Sequence, residues 1–186
     1  MTITDTIKVA MCDDHAMVRN ALAMVLDRED DIDMVGAVAT GAELLSLMER
    51  QQPNVVILDV RLQDESGIEL AQRVRLQFPD ARIVMLSSFE SDTALVNAFE
   101  SGAAAFLFKS GNSEELVSAV RSAAMGLCLI NPLAVRDALG RIRKNGALLI
   151  AKLDETDRHI LRLLADGQSD KQIAEAVYLS VQTVRN

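Results

Sequence analysis

The 186-residue sequence is poor in aromatic residues: it has no tryptophan, one tyrosine and five phenylalanines. Nevertheless, 49% of its residues are hydrophobic. A chain of this length can bury one core of ordinary size or two small ones. Because aromatic side chains are scarce, these cores must consist of leucine, isoleucine, valine, alanine and methionine. Helices and strands with aliphatic faces fit this composition.

Cysteines and long apolar runs are also scarce. The two cysteines, Cys12 and Cys128, lie far apart and lack the spacing of metal ligands, and no signal sequence opens the chain. No apolar stretch approaches the roughly 20 residues that are needed to span a bilayer. The sequence therefore predicts a cytoplasmic protein that does not enter the membrane.

Positive charge is scarce in the first two-thirds of the chain. Residues 1–125 contain 10 lysines and arginines against 20 aspartates and glutamates, whereas residues 126–186 contain 9 against 7. The net charge is thus −10 in the first part and +2 in the second. An acidic surface argues against nucleic-acid binding there, whereas the second part can approach a polyanion. This difference indicates two domains.

Short apolar runs alternate with stretches of helical spacing in the first part of the chain. The predicted strands are 7–12, 34–39, 55–60, 83–86 and 105–108. The predicted helices are 17–27, 41–51, 67–77, 92–101 and 114–125. Five strand–helix units predict an α/β fold, a five-stranded doubly wound parallel sheet with helices on both faces.

Polar residues stand where these strands end, at the edge where such sheets bind ligands. The strand ends carry Asp13 with Asp14, Asp59, Ser87 and Lys109. Three carboxylates at neighbouring strand ends repel one another unless a cation or protons offset their charge. Carboxylate oxygens, a backbone carbonyl and waters are the ligands of an octahedral Mg²⁺. The sequence therefore predicts a magnesium site.

A purely structural interpretation exists for the acidic pair. Asp13 can cap the following helix while Asp14 faces solvent, which is the ordinary role of an isolated Asp-Asp pair. The pair is not isolated, however, because leaving Asp59 unpaired inside an apolar strand is costly. The neighbouring His15 is a poor ligand for Mg²⁺, so we expect it to make a local hydrogen bond.

The segments CDDH, VVILDVRLQDESG, IVMLSS and AAAFLFKS, in this order, resemble the receiver domain of two-component response regulators. The resemblance spans roughly residues 6–125. It implies a flavodoxin-like fold in which Asp59 accepts a phosphoryl group from a sensor histidine kinase. It also implies that Asp13, Asp14, Asp59 and the backbone carbonyl of Arg61 hold Mg²⁺.

The same resemblance assigns three further residues. Lys109 contacts the phosphoryl group, Ser87 reports its arrival, and Phe106 is the aromatic switch of the fourth-helix and fifth-strand face. An alternative for Phe106 is a plain core role. The sequence departs from the common receiver pattern in the loops, at Gln63, Ser66 and Ser110. These departures put the loop geometry in doubt and leave the chemistry intact.

The regular strand–helix pattern lapses after Ala124, and the segments from Pro132 onward favour helices. We expect a linker helix over 132–143, a helix between an Asp154 N-cap and Gly167, and short helices over 169–177 and from 181 onward, the last with Ser180 as N-cap. The segment LRLLADGQSDKQIAEAVYLSVQTVRN resembles the helix-turn-helix of the LuxR/NarL/FixJ class. In that class a recognition helix enters the major groove of DNA.

Four residues are the candidate DNA contacts that this second resemblance implies. They are Lys171, Thr183, Arg185 and Asn186. Thr183 is placed to meet a phosphate, whereas Arg185 and Asn186 can bond guanine and adenine. Arg185 as a merely solvated residue is the alternative. Because Asn186 is the last residue, we expect the chain to be part of a longer product and to bind specific DNA weakly as it stands.

Together these features predict a phosphorylation-dependent transcription regulator. Its predicted parts are a receiver domain over 1–125, a linker with a helix over 126–149 and an incomplete helix-turn-helix domain over 150–186. It is no enzyme beyond the Mg²⁺-dependent phosphorylation and dephosphorylation of its own aspartate. Phosphorylation is expected to favour a homodimer, because helix-turn-helix proteins gain affinity from two half-sites.

Two alternatives come from other functional classes. One is a phosphatase of the haloacid-dehalogenase type, although the first strand here ends in D-D-H and not in D-x-D-x-T/V. The other is a stand-alone receiver whose C-terminal helices dock a protein partner.

Overall fold

The structure, a computed structural model, describes residues 6–152 and 154–185, except for the side chains of 149–152, 184 and 185. The chain divides into two compact units, Met1–Leu139 and Gly140–Asn186. None of the helices in these described ranges is long and apolar enough to cross a membrane.

The first unit is built on a parallel sheet. Its described strands are β1 (Ile7–Cys12), β2 (Ile32–Val38), β3 (Val55–Asp59), β4 (Arg82–Ser87) and β5 (Ala105–Phe108). They lie in the order β2-β1-β3-β4-β5, which is the flavodoxin-like order. All four strand pairs are parallel. The predicted five-stranded, doubly wound sheet is thus confirmed.

Five helices join the strands and cover the sheet. They are α1 (Ala16–Leu26), α2 (Gly41–Gln51), α3 (Gly67–Gln77), α4 (Asp92–Glu100) and α5 (Ser113–Ala124). Side-chain caps fix where several of them begin, because the first backbone N–H groups of a helix lack partners within it. In α2, Thr40 accepts the Glu43 N–H while the Glu43 carboxylate accepts the Thr40 N–H.

The core lies on both faces of the sheet, which explains why the strands read as continuous apolar runs. Every residue of β3 is buried. On one face, Leu26 of α1 and Val120 of α5 pack against alternate strand residues such as Met11 and Ile57. This packing makes the strands rigid, so the side chains that follow their carboxyl ends are held in fixed positions.

Four more helices follow: α6 (Pro132–Lys152), α7 (Glu155–Ala165), α8 (Asp170–Ala176) and α9 (Val181–Arg185). The predicted end of α6 at residue 143 is wrong. The helix continues through Gly146 because one glycine costs a helix only about 1 kcal/mol.

The predicted boundaries of the later helices hold. Asp154 accepts the Asp157 N–H at 2.8 Å, and Ser180 accepts the Thr183 N–H at 3.1 Å. Gly167, just after α7, adopts a left-handed conformation with φ of 75°. Glycine reaches that conformation without steric cost and therefore ends the helix.

Candidate functional site

Three charged residues from three strand ends meet at the carboxyl edge of the sheet. The parallel register pairs β1 with β3, β3 with β4 and β4 with β5. The carboxyl ends of these strands therefore lie along one edge of the sheet. Lys109 Nζ lies 2.6 Å from Asp13 Oδ2 and 2.6 Å from Asp59 Oδ2. The side chains of Asp13, Asp59 and Lys109 are only 1%, 5% and 9% exposed. The lysine thus bridges two buried carboxylates.

The loops around the site orient these carboxylates with backbone groups. The Arg61 N–H donates to Asp59 Oδ1 at 3.2 Å, and the His15 N–H donates to Asp13 Oδ1 at 2.9 Å. From α1, Arg19 Nη1 donates to the Asp13 carbonyl oxygen at 2.6 Å. Each aspartate therefore keeps its second oxygen directed toward Lys109.

Gly67 allows α3 to start directly beside Asp59. A Cβ atom at this position would lie 1.8 Å from the Asp59 carbonyl oxygen, a distance that no side chain tolerates. The Gly67 N–H donates to the Val60 carbonyl at 3.0 Å and closes the loop. The loop also contains a turn in which the Leu62 N–H donates to the Glu65 carbonyl at 3.2 Å. Gln63 and Ser66 are thus accommodated in a closed, hydrogen-bonded loop.

Glu65 links this loop to two helices. Its Oε1 accepts the Gly41 N–H at the start of α2 at 3.0 Å, and its Oε2 contacts Arg73 Nη1 at 2.9 Å. An anionic oxygen at a helix N-terminus is favourable because the free N–H groups carry partial positive charge. Glu65 therefore ties the β3–α3 loop to the start of α2 and to α3.

The acidic residues fit a divalent metal ion. Among the described residues, Asp13, Asp14, His15 and Asp59 each place one ligand atom so that all of these atoms lie within 4.8 Å of one another. Three carboxylates are the hard oxygen ligands that Mg²⁺ prefers. The fourth predicted ligand, the backbone carbonyl of Arg61, stays a prediction.

Burial and charge shift the proton affinities in the site. Burial raises the pKa of Asp59 above its usual value, while Lys109 and the Arg61 N–H act in the opposite direction. Burial alone would lower the pKa of Lys109, but its hydrogen bonds to Asp13 and Asp59 outweigh this effect and raise it. Lys109 is therefore an ammonium at neutral pH. Burial and nearby carboxylates raise the pKa of Cys12 to about 12, so its thiol is unreactive.

A cavity of about 210 Å³ opens beside Asp59. Its lining includes His15, Asp59, Arg61, Ser87 and Phe89. The Ser87 hydroxyl donates to the Phe89 carbonyl at 2.7 Å and accepts the Phe89 N–H at 3.2 Å. The Arg61 guanidinium lies 6.0 Å from the centre of the Phe89 ring. Ser87 is thus buried at the predicted strand end, and its hydroxyl forms hydrogen bonds with the backbone of the loop that follows β4.

Phe106 is half-buried on β5. Its ring contacts that of Phe108 edge to face, with the ring centres 5.6 Å apart. Its predicted role as a switch stays a prediction.

The candidate DNA contacts belong to the second unit. Lys171 is exposed on α8, and Thr183 is exposed on α9 with its hydroxyl 2.8 Å from the Ser180 hydroxyl. Arg185 ends α9, and its side chain, like the whole of Asn186, lies outside the described residues. The roles of these four residues stay predictions.

Sequence reasoning missed Arg19, Glu65 and Gly67. Arg19 stands five residues after Asp14, and a basic residue at that spacing is a weak signal. Gly67 is the first residue of a predicted helix, where a glycine has several possible causes. Glu65 gives no local signal, because its partner Gly41 is 24 residues away.

The fold and the site define a receiver-like α/β protein with a buried acidic site. A family model described as the response regulator receiver domain matches residues 9–121. The chain belongs to the response regulators of two-component systems, and it is of the NarL/LuxR type. The predicted class, a phosphorylation-dependent transcription regulator, is thereby confirmed, and the phosphatase alternative is not supported.

Two similar proteins cover nearly the whole chain, and a solved receiver domain covers two-thirds of it. The DNA-binding transcriptional activator DevR/DosR of Mycobacterium tuberculosis is 33% identical over 182 residues, which are 97% of this chain and 84% of that protein. The transcriptional regulatory protein LiaR of Bacillus subtilis is 31% identical, covering 96% and 86%. The receiver domain of NarL from M. tuberculosis matches with a TM-score of 0.62 at 30% identity, covering 66% of this chain and 98% of that one.

Proposed function

We propose that Asp59 is the carboxylate that accepts a phosphoryl group from a phosphohistidine of a sensor kinase. One observation carries this assignment: the Lys109 ammonium lies 2.6 Å from Asp59 Oδ2 in a buried site that opens into the cavity beside Asp59. In the reaction, an Asp59 oxygen bonds to phosphorus while the bond between phosphorus and the imidazole nitrogen breaks. The electron pair of that bond leaves with the imidazole.

This chemistry requires positioning and charge neutralisation rather than a general base. The backbone N–H of Arg61 orients Asp59, and the Lys109 ammonium faces the oxygens that the phosphoryl group brings. Asp13, Asp14 and Asp59, with the Arg61 carbonyl, hold Mg²⁺, which when bound supplies positive charge for those oxygens.

Ser87 and Phe106 are the proposed switch residues. For Ser87 to bond a phosphoryl oxygen, its hydroxyl gives up the hydrogen bond to the Phe89 carbonyl and thereby releases the β4–α4 loop. Phe106 then turns inward from its edge-to-face contact with Phe108. Such a two-state element is biased by the phosphoryl charge.

The output proposed for the second unit is DNA binding. A relative with this printed function, DevR/DosR, matches across both parts of the chain. Lys171, Thr183, Arg185 and Asn186 are the proposed contacts, and phosphorylation favours a homodimer that binds two half-sites. The cytoplasmic location inferred from the sequence stays a prediction.

Labelling with acetyl phosphate and Mg²⁺ tests the assignment of Asp59. Asp59→Asn should abolish the mass increment of one phosphoryl group, because Asp59 is the only carboxylate among the described residues that line the cavity. Asp64→Asn is the matched control, since Asp64 is an exposed carboxylate in the loop that follows. Full Mg²⁺-dependent labelling of Asp59→Asn would refute the assignment.

The proposed output is tested separately. In a form of the protein extended beyond residue 186, Arg185→Ala should weaken operator binding in a gel shift by roughly 1–3 kcal/mol and relax the sequence preference, whereas Lys171→Ala should weaken binding to all sequences alike. Light scattering with and without a phosphate mimic tests the dimer. An unchanged mass would count against it.

A further inference from the structure

His15 has a side chain that none of the roles described so far uses. It is the N-cap residue of α1, yet its imidazole makes no capping hydrogen bond. Only its backbone N–H takes part in the site, as a donor to Asp13. The imidazole lines the same cavity as Asp59, and its side chain is 64% exposed, so an ion in solution can reach it.

A ring nitrogen of His15 belongs, with one oxygen each of Asp13, Asp14 and Asp59, to a group of potential ligand atoms that lie within 4.8 Å of one another. His15 Nδ1 lies 2.6 Å from Asp14 Oδ1 and 3.4 Å from Asp13 Oδ1. Asp14 Oδ1 is buried and accepts no hydrogen bond of proper geometry from any described residue, even though Nδ1 is so close. Two ligand atoms that are each about 2.1 Å from one metal ion lie roughly 3.0–3.4 Å apart. The 3.4 Å between Nδ1 and Asp13 Oδ1 fits a shared ion, and the Asp14 carboxylate needs to turn outward by less than about 1 Å to do the same.

We propose that His15 Nδ1 is a metal ligand that gives this site a preference for nitrogen-binding divalent cations, such as Zn²⁺, over Mg²⁺. The inference rests on the proposed cation site at Asp13, Asp14 and Asp59. Imidazole is a good ligand for Zn²⁺ and its neighbours, whereas Mg²⁺ prefers oxygen. Loss of His15 therefore weakens Zn²⁺ binding and leaves Mg²⁺ binding unchanged.

The chain offers a matched control, because it contains two histidines and the other, His159, is exposed on α7. Zn²⁺ and Mg²⁺ affinities are measured by calorimetry on the wild-type protein, His15→Phe and His159→Phe. His15→Phe should lower the Zn²⁺ affinity by about 10-fold or more, because the loss of even an outer-shell partner costs that much. His159→Phe should change neither affinity, and His15→Phe should leave that for Mg²⁺ unchanged.

A spectroscopic measurement identifies the ligand atom. In protein with ¹⁵N-labelled histidine, Zn²⁺ should shift the Nδ1 resonance of His15 and leave both nitrogens of His159 unchanged. Equal Zn²⁺ affinities of the wild-type protein and His15→Phe, or a shift confined to His159, would overturn the role of His15.

A third variant separates this inference from the proposed function. Asp14→Asn should weaken the binding of both cations. If it weakens neither, the proposed cation site is wrong and the role of His15 falls with it. If Asp14→Asn weakens Mg²⁺ binding while His15→Phe leaves Zn²⁺ binding intact, the cation site stands and the role of His15 alone is refuted.

Discussion

The two units of the chain place their functional residues in opposite environments. In the receiver unit, Asp13, Asp59 and Lys109 are buried charges that hold one another in place. In the second unit, Lys171 and Thr183 are exposed polar residues. A buried charge is costly unless it is paired, so its presence needs an explanation. An exposed polar residue needs none, and its function cannot be inferred from its environment.

The two units also differ in how much apolar surface their strands and helices bury. The receiver unit buries every residue of β3, whereas α7 buries none of its residues and α8 buries Ile173 and Ala174. Burial of apolar surface is the main source of stability. We therefore expect the receiver site to be rigid because a large core supports it, and the second unit to depend on few contacts.

The largest effect that would test this comparison is at Gly67. Gly67→Ala places a methyl group against the Asp59 carbonyl and should lower the free energy of unfolding by about 4 kcal/mol. Gly140→Ala is the matched control. Nothing lies within 4 Å of a Cβ atom at that helical position, so alanine should stabilise the protein by about 0.8 kcal/mol. Urea unfolding of both variants measures the difference, and equal effects would contradict the claim of a rigid receiver site.

A smaller effect is expected from Ile173, which is fully buried in α8. Ile173→Ala should cost about 3 kcal/mol, as is typical for a large-to-small change in a core. Since few contacts support this unit, amide hydrogen exchange should accelerate in α8 and α9 while β3 stays protected. Leu161→Ala, at a half-exposed position of α7, is the control. Faster exchange in β3 would show that the two units unfold together.

The regularity of the sequence pattern decided how well the bounds of each strand and helix could be predicted. The strand β3 was predictable within one residue, because a buried parallel strand is a continuous apolar run. The predicted start of β2 was two residues late, since the exposed Asp33 interrupts its apolar pattern. The end of α6 was predicted nine residues early because a glycine is only a weak helix stop.

In the site, Asp59 and Lys109 were predictable because charge at the end of an apolar strand is rare. Their positions within hydrogen-bonding distance follow from the strand order, which periodicity alone leaves open. Glu65 was not predictable, because its contact with Gly41 joins two loops that are distant in sequence. Contacts of that kind depend on tertiary packing and leave no local pattern.

The smallest expected effect concerns the charge of Asp59 itself. Burial raises the pKa of Asp59 in the folded protein above its usual value of 3.8. A carboxyl group with a raised folded-state pKa contributes stability below the unfolded-state pKa, and this contribution is lost as the pH rises through the folded-state pKa. At neutral pH the ionised carboxylate therefore destabilises the fold.

Asp59→Asn keeps the shape of the side chain and removes its charge, while Lys109 retains Asp13 as its partner. In the presence of EDTA at pH 7, this variant should be more stable than the wild-type protein, because it lacks the charge that burial disfavours. The difference should shrink as the pH is lowered through the raised pKa of Asp59, because the wild-type carboxylate then takes up its proton. Mg²⁺ should stabilise the wild-type protein more than the variant, since an ion that binds only the folded state adds to its stability. Asp64→Asn should show none of these effects. If Asp59→Asn is instead less stable at pH 7, the attraction of Lys109 outweighs burial, and the receiver site is held together by its charges rather than by the core beneath it.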